Sequence, residues 1–102
     1  MIYHDVEIPE QKIAEFCIKN KIRRLSLFGS ILRDDFGPDS DVDVLIEFAH
    51  DARIGLIGLA GMEIELSLIL GRKVDINTPN SLSHYFREEI LSSAETQYDA
   101  AA

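Results

Sequence analysis

The sequence has little cysteine, no long hydrophobic run and no secretory signal pattern. Cys17 is the only cysteine in 102 residues, so no disulfide can form within the chain, which is typical of a reducing compartment. No apolar run approaches the ~20 residues that a membrane-spanning helix needs, and the N-terminal residues lack the features of a signal peptide. We therefore expect a cytoplasmic protein without a membrane segment.

Positive charge is also scarce. The chain has 10 Lys and Arg residues against 18 Asp and Glu residues, which gives a formal net charge of −8. This balance argues against extended nucleic-acid binding, because contacts to phosphate backbones depend on basic side chains. A local nucleotide site remains compatible with it, since divalent cations neutralise carboxylates. An acidic surface also suits a basic protein partner, although solubility alone would explain it.

The hydrophobic content, 46% of the residues, predicts one globular domain covering residues 1–102. Periodicity and turn residues predict seven elements and a loose tail over 96–102. In chain order the elements are a helix over 9–20, a strand over 22–28, a short helix over 31–33, a strand over 41–48, a helix over 51–70, a strand over 72–77 and a helix over 83–94. This order predicts an α/β (α+β) fold with helices packed on a small mixed sheet.

The long helix over 51–70 has apolar residues on most of its surface. Helical spacing connects Leu56, Leu59, Glu63, Leu66 and Leu70, and the stripe is widened by Ile57, Ile64 and Leu68. We expect this stripe to pack on the sheet. Gly58 and Gly61 form a smooth strip that suits either a protein interface or close packing on the sheet, and the second interpretation is favoured.

The most informative stretch covers residues 25–48. An apolar run ends in Gly29 and Ser30, and ten residues later Asp41 and Asp43 open a second apolar run. Side chains at i and i+2 of a strand point to the same face. Two carboxylates about 4 Å apart repel by about 4 kcal/mol at an effective dielectric near 20. The pattern therefore predicts a cation between the two aspartates.

Gly29 and Ser30 predict an anion site beside these carboxylates. Glycine tolerates positive φ and lets a ligand approach the backbone. Ser30 is a suitable N-cap for the short helix over 31–33, and a helix N-terminus attracts anions. A phosphate cradle beside hard oxygen ligands suits a magnesium-bound nucleoside triphosphate. Each half of the pattern is common by chance, and only the combination is specific.

The spacing of Gly29-Ser30, ten residues and Asp41-x-Asp43 resembles the signature of the nucleotidyltransferase superfamily with the polymerase-β-like fold. The segments GSILRDDFGPDSDVDVLIEF and LGRKVDI resemble its smallest branch, the minimal nucleotidyltransferases of prokaryotes. The resemblance covers about residues 13–98 and implies that the strands over 22–28 and 41–48 are antiparallel. It also implies that Asp75 is the third acidic residue of the site. From the residues alone, Asp75 could also be an exposed position on an edge strand.

The resemblance implies a two-metal mechanism. Asp41 and Asp43 would hold two Mg²⁺ ions roughly 4 Å apart, and Asp75 would share one ion and accept the proton of the acceptor hydroxyl. Gly29 and Ser30 would hold the phosphates of ATP.

Arg33 lies one helical turn after Ser30 and could contact the triphosphate. Pairing of Arg33 with Asp34 or Asp35 at the surface is nearly as good an explanation for it.

The resemblance also implies a partner. Minimal nucleotidyltransferases of this kind are similar to antitoxins that transfer AMP from ATP to a tyrosine hydroxyl of a HEPN-domain RNase toxin, which blocks the toxin. Two alternatives remain open: a non-catalytic antitoxin that binds and occludes its partner, and a nucleotidyltransferase with a nucleic-acid or small-molecule acceptor. The set of three acids weighs against the first alternative. The negative charge and short chain weigh against the second.

Overall fold

A computed structural model describes residues 2–101 and contains a four-stranded sheet with α-helices on both faces. Two short 3₁₀ turns, Gly29–Leu32 and Pro79–Ser81, connect elements of this sheet. None of the helices in residues 2–101 is long and apolar enough to cross a bilayer. The elements in chain order are β1 (Ile2–Tyr3), β2 (Val6–Glu7), α1 (Glu10–Lys19), β3 (Ile22–Phe28), β4 (Val42–Phe48), α2 (Leu56–Leu70), β5 (Val74–Asn77), α3 (His84–Ser93) and β6 (Glu95–Asp99).

The sheet is mixed, with strand order β5-β4-β3-β6. Strand β3 is antiparallel to β4 and to β6, whereas β4 and β5 are parallel. In this register Phe28 lies opposite Asp43, and Asp43 lies opposite Asp75. The mixed α+β fold and the antiparallel pairing of β3 with β4 are therefore confirmed.

The two faces of the sheet are covered to different extents. Alternation along β4 places Val42, Val44 and Ile46 on one face, where they belong to the main core with residues of α1 and α2. On the other face, Leu45 joins a small cluster with Phe28 and Leu82. We call this second, sparsely covered side the open face. Asp43 and Glu47 share the parity of Leu45 and are only half-buried, so the acidic residues of β4 lie on the open face.

The predicted packing of the long helix was confirmed only in part, because Leu66 and Leu70 are buried and Leu59 packs against the main core. Helix α2 begins at Leu56 rather than at residue 51, after an extended Gly55. Its buried residues are Met62, Leu66 and Leu70, whereas the predicted core residues Leu56, Ile57, Ile64 and Leu68 are exposed. A helix that is apolar on nearly every side has no preferred buried face in its sequence.

The prediction that Gly58 and Gly61 pack closely on the sheet was also wrong for Gly61. A β-carbon at that position would meet no atom within 4 Å. Gly61 therefore faces outward and does not pack against the sheet.

The tail is ordered, contrary to the prediction for residues 96–102. Strand β6 pairs with β3, with Tyr98 opposite Leu25 and Thr96 opposite Ser26. Without β6, strand β3 would present an unpaired edge. The register depends on partners more than sixty residues apart, and periodicity within the tail does not report such pairing. Residue 102 lies outside the described part.

Candidate active site

Three aspartates lie on the open face of two neighbouring strands. Asp43 of β4 and Asp75 of β5 are register partners in a parallel pair, so their side chains point to the same face of strands about 4.8 Å apart. Asp41 precedes β4 and has the same parity as Asp43. Asp41 and Asp43 are half-buried and Asp75 is exposed. The alternation of strand side chains thus brings the three predicted acids to one side of the sheet.

Burial and neighbouring charges act on the carboxylate of Asp43. Burial raises the pKa of Asp43 above its ordinary value, and the negative charges of Asp75 and Asp41 raise it further. The Arg33 guanidinium acts in the opposite direction on the same pKa. Asp41 also has a cationic neighbour, because its Oδ2 lies 3.9 Å from Nζ of Lys73 at the surface.

The three carboxylates do not form a closed metal cage. Across the described residues 2–101, no three His, Cys, Asp or Glu side chains are arranged so that they could hold a metal ion together. Asp41, Asp43 and Asp75 therefore share a face and an electrostatic field, but their oxygens do not surround a common point. The backbones of Asp43 and Asp75 are register partners on adjacent strands.

Gly29 is held directly against Asp43. It adopts a φ of +77° at the end of β3, a conformation that favours glycine. A β-carbon on Gly29 would overlap Oδ2 of Asp43 and lie 3.2 Å from its carboxyl carbon. The backbone conformation therefore favours glycine, and a β-carbon at this position would displace the Asp43 carboxylate.

The helix predicted after Ser30 is a 3₁₀ turn instead. The turn covers Gly29–Leu32 and ends at Arg33, which is extended and donates its N–H to the Ser30 carbonyl at 2.9 Å. Ser30 lies inside this turn and is not its N-cap, so that prediction was wrong. The positive φ of Gly29 starts the turn one residue earlier than a serine cap would. The Nε of Arg33 lies 3.2 Å from Oδ1 of Asp35. The positive charge of Arg33 also lowers the pKa of Asp43, so Arg33 acts on the site as well.

Arg72 fixes the loop that leads into Asp41. This role of Arg72 was not predicted from the sequence. Its Nη2 donates to the carbonyl oxygens of Ser40 at 2.7 Å and Gly37 at 2.9 Å, and lies 3.3 Å from that of Pro38. Its guanidinium carbon lies 4.6 Å from the ring centroid of Phe36, within cation–π distance. Carbonyl acceptors on a loop leave no spacing pattern, so the sequence carried no signal of this contact.

Two side chains of α2 fix strand β5 around Asp75. The Ser67 hydroxyl accepts the N–H of Val74 at 3.0 Å, and the Glu63 carboxylate accepts the N–H of Ile76 at 2.9 Å. These are the neighbours of Asp75 on an edge strand, whose outward N–H groups would otherwise be free to pair with another chain. The sequence pattern places Glu63 within the apolar stripe of the long helix, where a charged residue is itself a signal of a polar contact.

The chain thus combines a small α+β fold with three acidic side chains on one face of its sheet and a Gly-Ser turn whose glycine contacts Asp43. The family model described as "Nucleotidyltransferase domain" matches residues 10–96. The chain belongs to this family.

One relative agrees with this assignment. A protein of Methanocaldococcus jannaschii that is named as a candidate protein adenylyltransferase, MJ0435, is 34% identical over 85 residues, which cover 83% of this chain and 89% of that protein.

Two solved structures share the fold. One is a toxin–antitoxin with AMP-PNP, which has a TM-score of 0.72 and 20% identity and covers 91% of this chain and 75% of that chain. The other is a tri-AMPylated Shewanella oneidensis HEPN toxin in complex with an MNT antitoxin, with a TM-score of 0.64, 20% identity and coverage of 90% of this chain and 71% of that chain.

Proposed function

We propose that this chain is an antitoxin enzyme that transfers AMP from ATP to a tyrosine hydroxyl of a HEPN-type RNase toxin in the cytoplasm. The observation that carries the proposal is the register of β4 and β5, which places Asp43 beside Asp75 with Gly29 against Asp43. Membership of the nucleotidyltransferase family, the relative named for protein adenylylation and the complex that contains an AMPylated HEPN toxin support it.

The acidic residues fit Mg²⁺. Carboxylate oxygens are the hard ligands that Mg²⁺ prefers, and the repulsion that raises the pKa of Asp43 is relieved by a nearby cation. Asp41, Asp43 and Asp75 would hold the two ions, which when bound neutralise the triphosphate and stabilise the charge on the departing pyrophosphate.

The remaining roles fall to groups of this chain. The Gly29 backbone and Ser30 bind the β- and γ-phosphates, which leaves the α-phosphorus accessible from the open face. Arg33 leaves its ion pair with Asp35 and binds the triphosphate. The acceptor oxygen forms a bond to the α-phosphorus while the bond to the β-phosphate oxygen breaks, and Asp75 accepts the hydroxyl proton. Exposure of Asp75 supports this last role, because the acceptor approaches from outside.

A second candidate function is neutralisation by occlusion alone. It is favoured by one observation, namely that no three potential ligand side chains in residues 2–101 are gathered for a metal. A binding module would need no such gathering.

The experiment is to incubate the chain with a HEPN-type RNase from the same organism, with Mg²⁺ and ATP, and to measure the intact mass and RNase activity of that partner. We expect mass increments of one adenylyl group each and loss of RNase activity. A variant with both Asp41→Asn and Asp43→Asn should give neither effect, whereas Asp39→Asn, which removes one exposed carboxylate from the same loop, should act as the wild type. Neutralisation by the double variant without any mass change would establish occlusion instead.

A further inference from the structure

Helix α3 presents an unusual cluster of exposed aromatic side chains. Tyr85 is 80% exposed and Phe86 is 59% exposed. The His84 and Tyr85 rings lie against each other, with centroids 4.1 Å apart. Aromatic residues are enriched where proteins bind one another, since they bury a large area with few rotatable bonds. We call the surface formed by Tyr85, Phe86, Glu88 and Glu89 the α3 surface.

The α3 surface belongs to the same side of the sheet as the three aspartates. Leu82, just before α3, packs in one cluster with Phe28 and Leu45 of the open face. Phe28 is the register partner of Asp43, and Leu45 lies two residues beyond Asp43 on β4. The beginning of α3 is therefore anchored next to the carboxylates. A protein that contacts α3 would therefore lie on the same side of the sheet as Asp75 and Asp43.

The exposed apolar stripe of α2 does not meet this condition. Ile57 and Leu68 are 91% and 80% exposed, but Leu66 and Met62 of the same helix pack into the main core with Val44. That core lies on the face of the sheet opposite the aspartates. A partner docked on α2 would be separated from the site by the sheet itself.

Charge indicates which kind of partner fits the α3 surface. Glu88 and Glu89 are exposed on α3, and the three aspartates lie on the same side of a chain with a net charge of −8. An RNase must attract the phosphates of its substrate and therefore presents basic side chains. The α3 surface thus combines apolar anchors with an acidic rim that is complementary to a basic RNase.

We propose that the α3 surface is the docking site for the HEPN-type RNase, with Tyr85 and Phe86 as anchors and Glu88 and Glu89 as the charged rim. The inference rests on the proposed function for the identity of the partner. Docking here covers the open face, so the same contact positions the acceptor tyrosine and shields the reacting groups from water.

The test measures partner binding separately from catalysis. The same HEPN-type RNase is titrated without ATP into the wild type, into a Tyr85→Ser, Phe86→Ser variant and into a matched Ile57→Ser, Ile64→Ser variant of the α2 stripe. We expect the α3 variant to bind at least about tenfold more weakly, as for interface anchors, and the α2 variant to bind within about twofold of the wild type. Circular dichroism checks that each variant is folded.

A charge variant tests the rim without touching the anchors. Glu88→Lys with Glu89→Lys should weaken binding and reduce its dependence on salt, because attraction between exposed charges is screened. In transfer assays both α3 variants should raise KM for the partner and leave KM for ATP unchanged. A raised KM for ATP would instead assign α3 to the nucleotide pocket and overturn the docking site.

The outcomes separate this inference from the proposed function. If the wild type adenylylates the partner and the α3 variants bind it normally, the docking site is wrong and the enzyme stands. If the α3 variants lose binding while the wild type transfers no AMP, the docking site stands and the reaction is wrong. Absence of any binding by the wild type overturns both.

Discussion

At the scale of single residues, the site brings together carboxylates that repel one another. Asp43 is half-buried, next to two other carboxylates and in contact with Gly29. The spacing of Asp41 and Asp43 was enough to predict this crowding, because strand alternation fixes the direction of both side chains. Asp75 needed the family resemblance, since its position opposite Asp43 depends on β5 pairing with β4, which short-range pattern does not encode.

The raised pKa of Asp43 makes a prediction about stability and pH. Between the ordinary and the raised pKa the folded chain binds more protons than the unfolded chain, so the free energy of unfolding falls as pH rises through this window. Asp43→Asn removes that cost. In chelator-containing buffer at pH 7 we expect the variant to have a higher Tm than the wild type, and the difference to disappear as the pH approaches 4.

Thermal unfolding between pH 4 and pH 8 measures this effect. Asp39→Asn removes an exposed carboxylate of the same loop and should leave Tm unchanged at each pH. A lower Tm for Asp43→Asn at pH 7 would mean that the charge of Asp43 stabilises the fold, contrary to the direction of its pKa shift.

At the scale of elements, the apolar runs predicted β3, β4 and β5, and periodicity predicted only part of the buried face of α2. Strands β1, β2 and β6 were not predicted. The strand β3 was predicted with its observed bounds, because apolar residues end sharply at Gly29. The buried face of α2 could not be found in this way, since Ile57, Ile64 and Leu68 are as apolar as Leu66 and Leu70. The contacts of Arg72 with the loop before β4 were equally invisible, because they use backbone carbonyls.

Arg72 should control the position of Asp41 through that loop. Arg72→Met removes hydrogen bonds from a cation to the Gly37 and Ser40 carbonyls, each worth about 1.5–3 kcal/mol for a charged donor. We expect the free energy of unfolding in urea to fall by about 2 kcal/mol, less than the sum of the two bonds, because Arg72 is only half-buried and water satisfies part of the freed carbonyls. The rate of AMP transfer should fall by about tenfold or more, because a small displacement of a ligand costs much of the rate.

The matched control is Arg53→Met, which removes the same charge from an exposed position. Its unfolding free energy and transfer rate should equal those of the wild type. Arg72→Lys should recover the charge but only part of the rate, since an ammonium group lacks the planar fork of the guanidinium. Wild-type stability and rate in Arg72→Met would show that the loop holds its position without these hydrogen bonds.

At the scale of the whole molecule, the two ends of the chain are tied together beside β3. The Tyr3 hydroxyl donates to the Glu95 carboxylate at 2.6 Å, and the Gln97 amide donates to the same hydroxyl oxygen at 3.3 Å. Burial raises the pKa of Tyr3, and its hydrogen bond to Glu95 adds to the shift. Strands β1 and β2 pair as an antiparallel hairpin over residues 2–7. Residues that look like a polar tail in sequence therefore complete the sheet and hold this hairpin.

This arrangement makes two chemically identical substitutions behave differently. Tyr98 of β6 is half-buried and packs against the main core, whereas Tyr85 of α3 is 80% exposed. Tyr98→Ala should lower the free energy of unfolding by about 2 kcal/mol, which is less than a fully buried aromatic residue would cost. Tyr85→Ala should change it by less than about 0.5 kcal/mol. Urea denaturation of both variants measures the difference. An unfolding free energy equal to the wild type's for Tyr98→Ala would mean that the tail is loose after all, and that β3 is not held at this edge by β6.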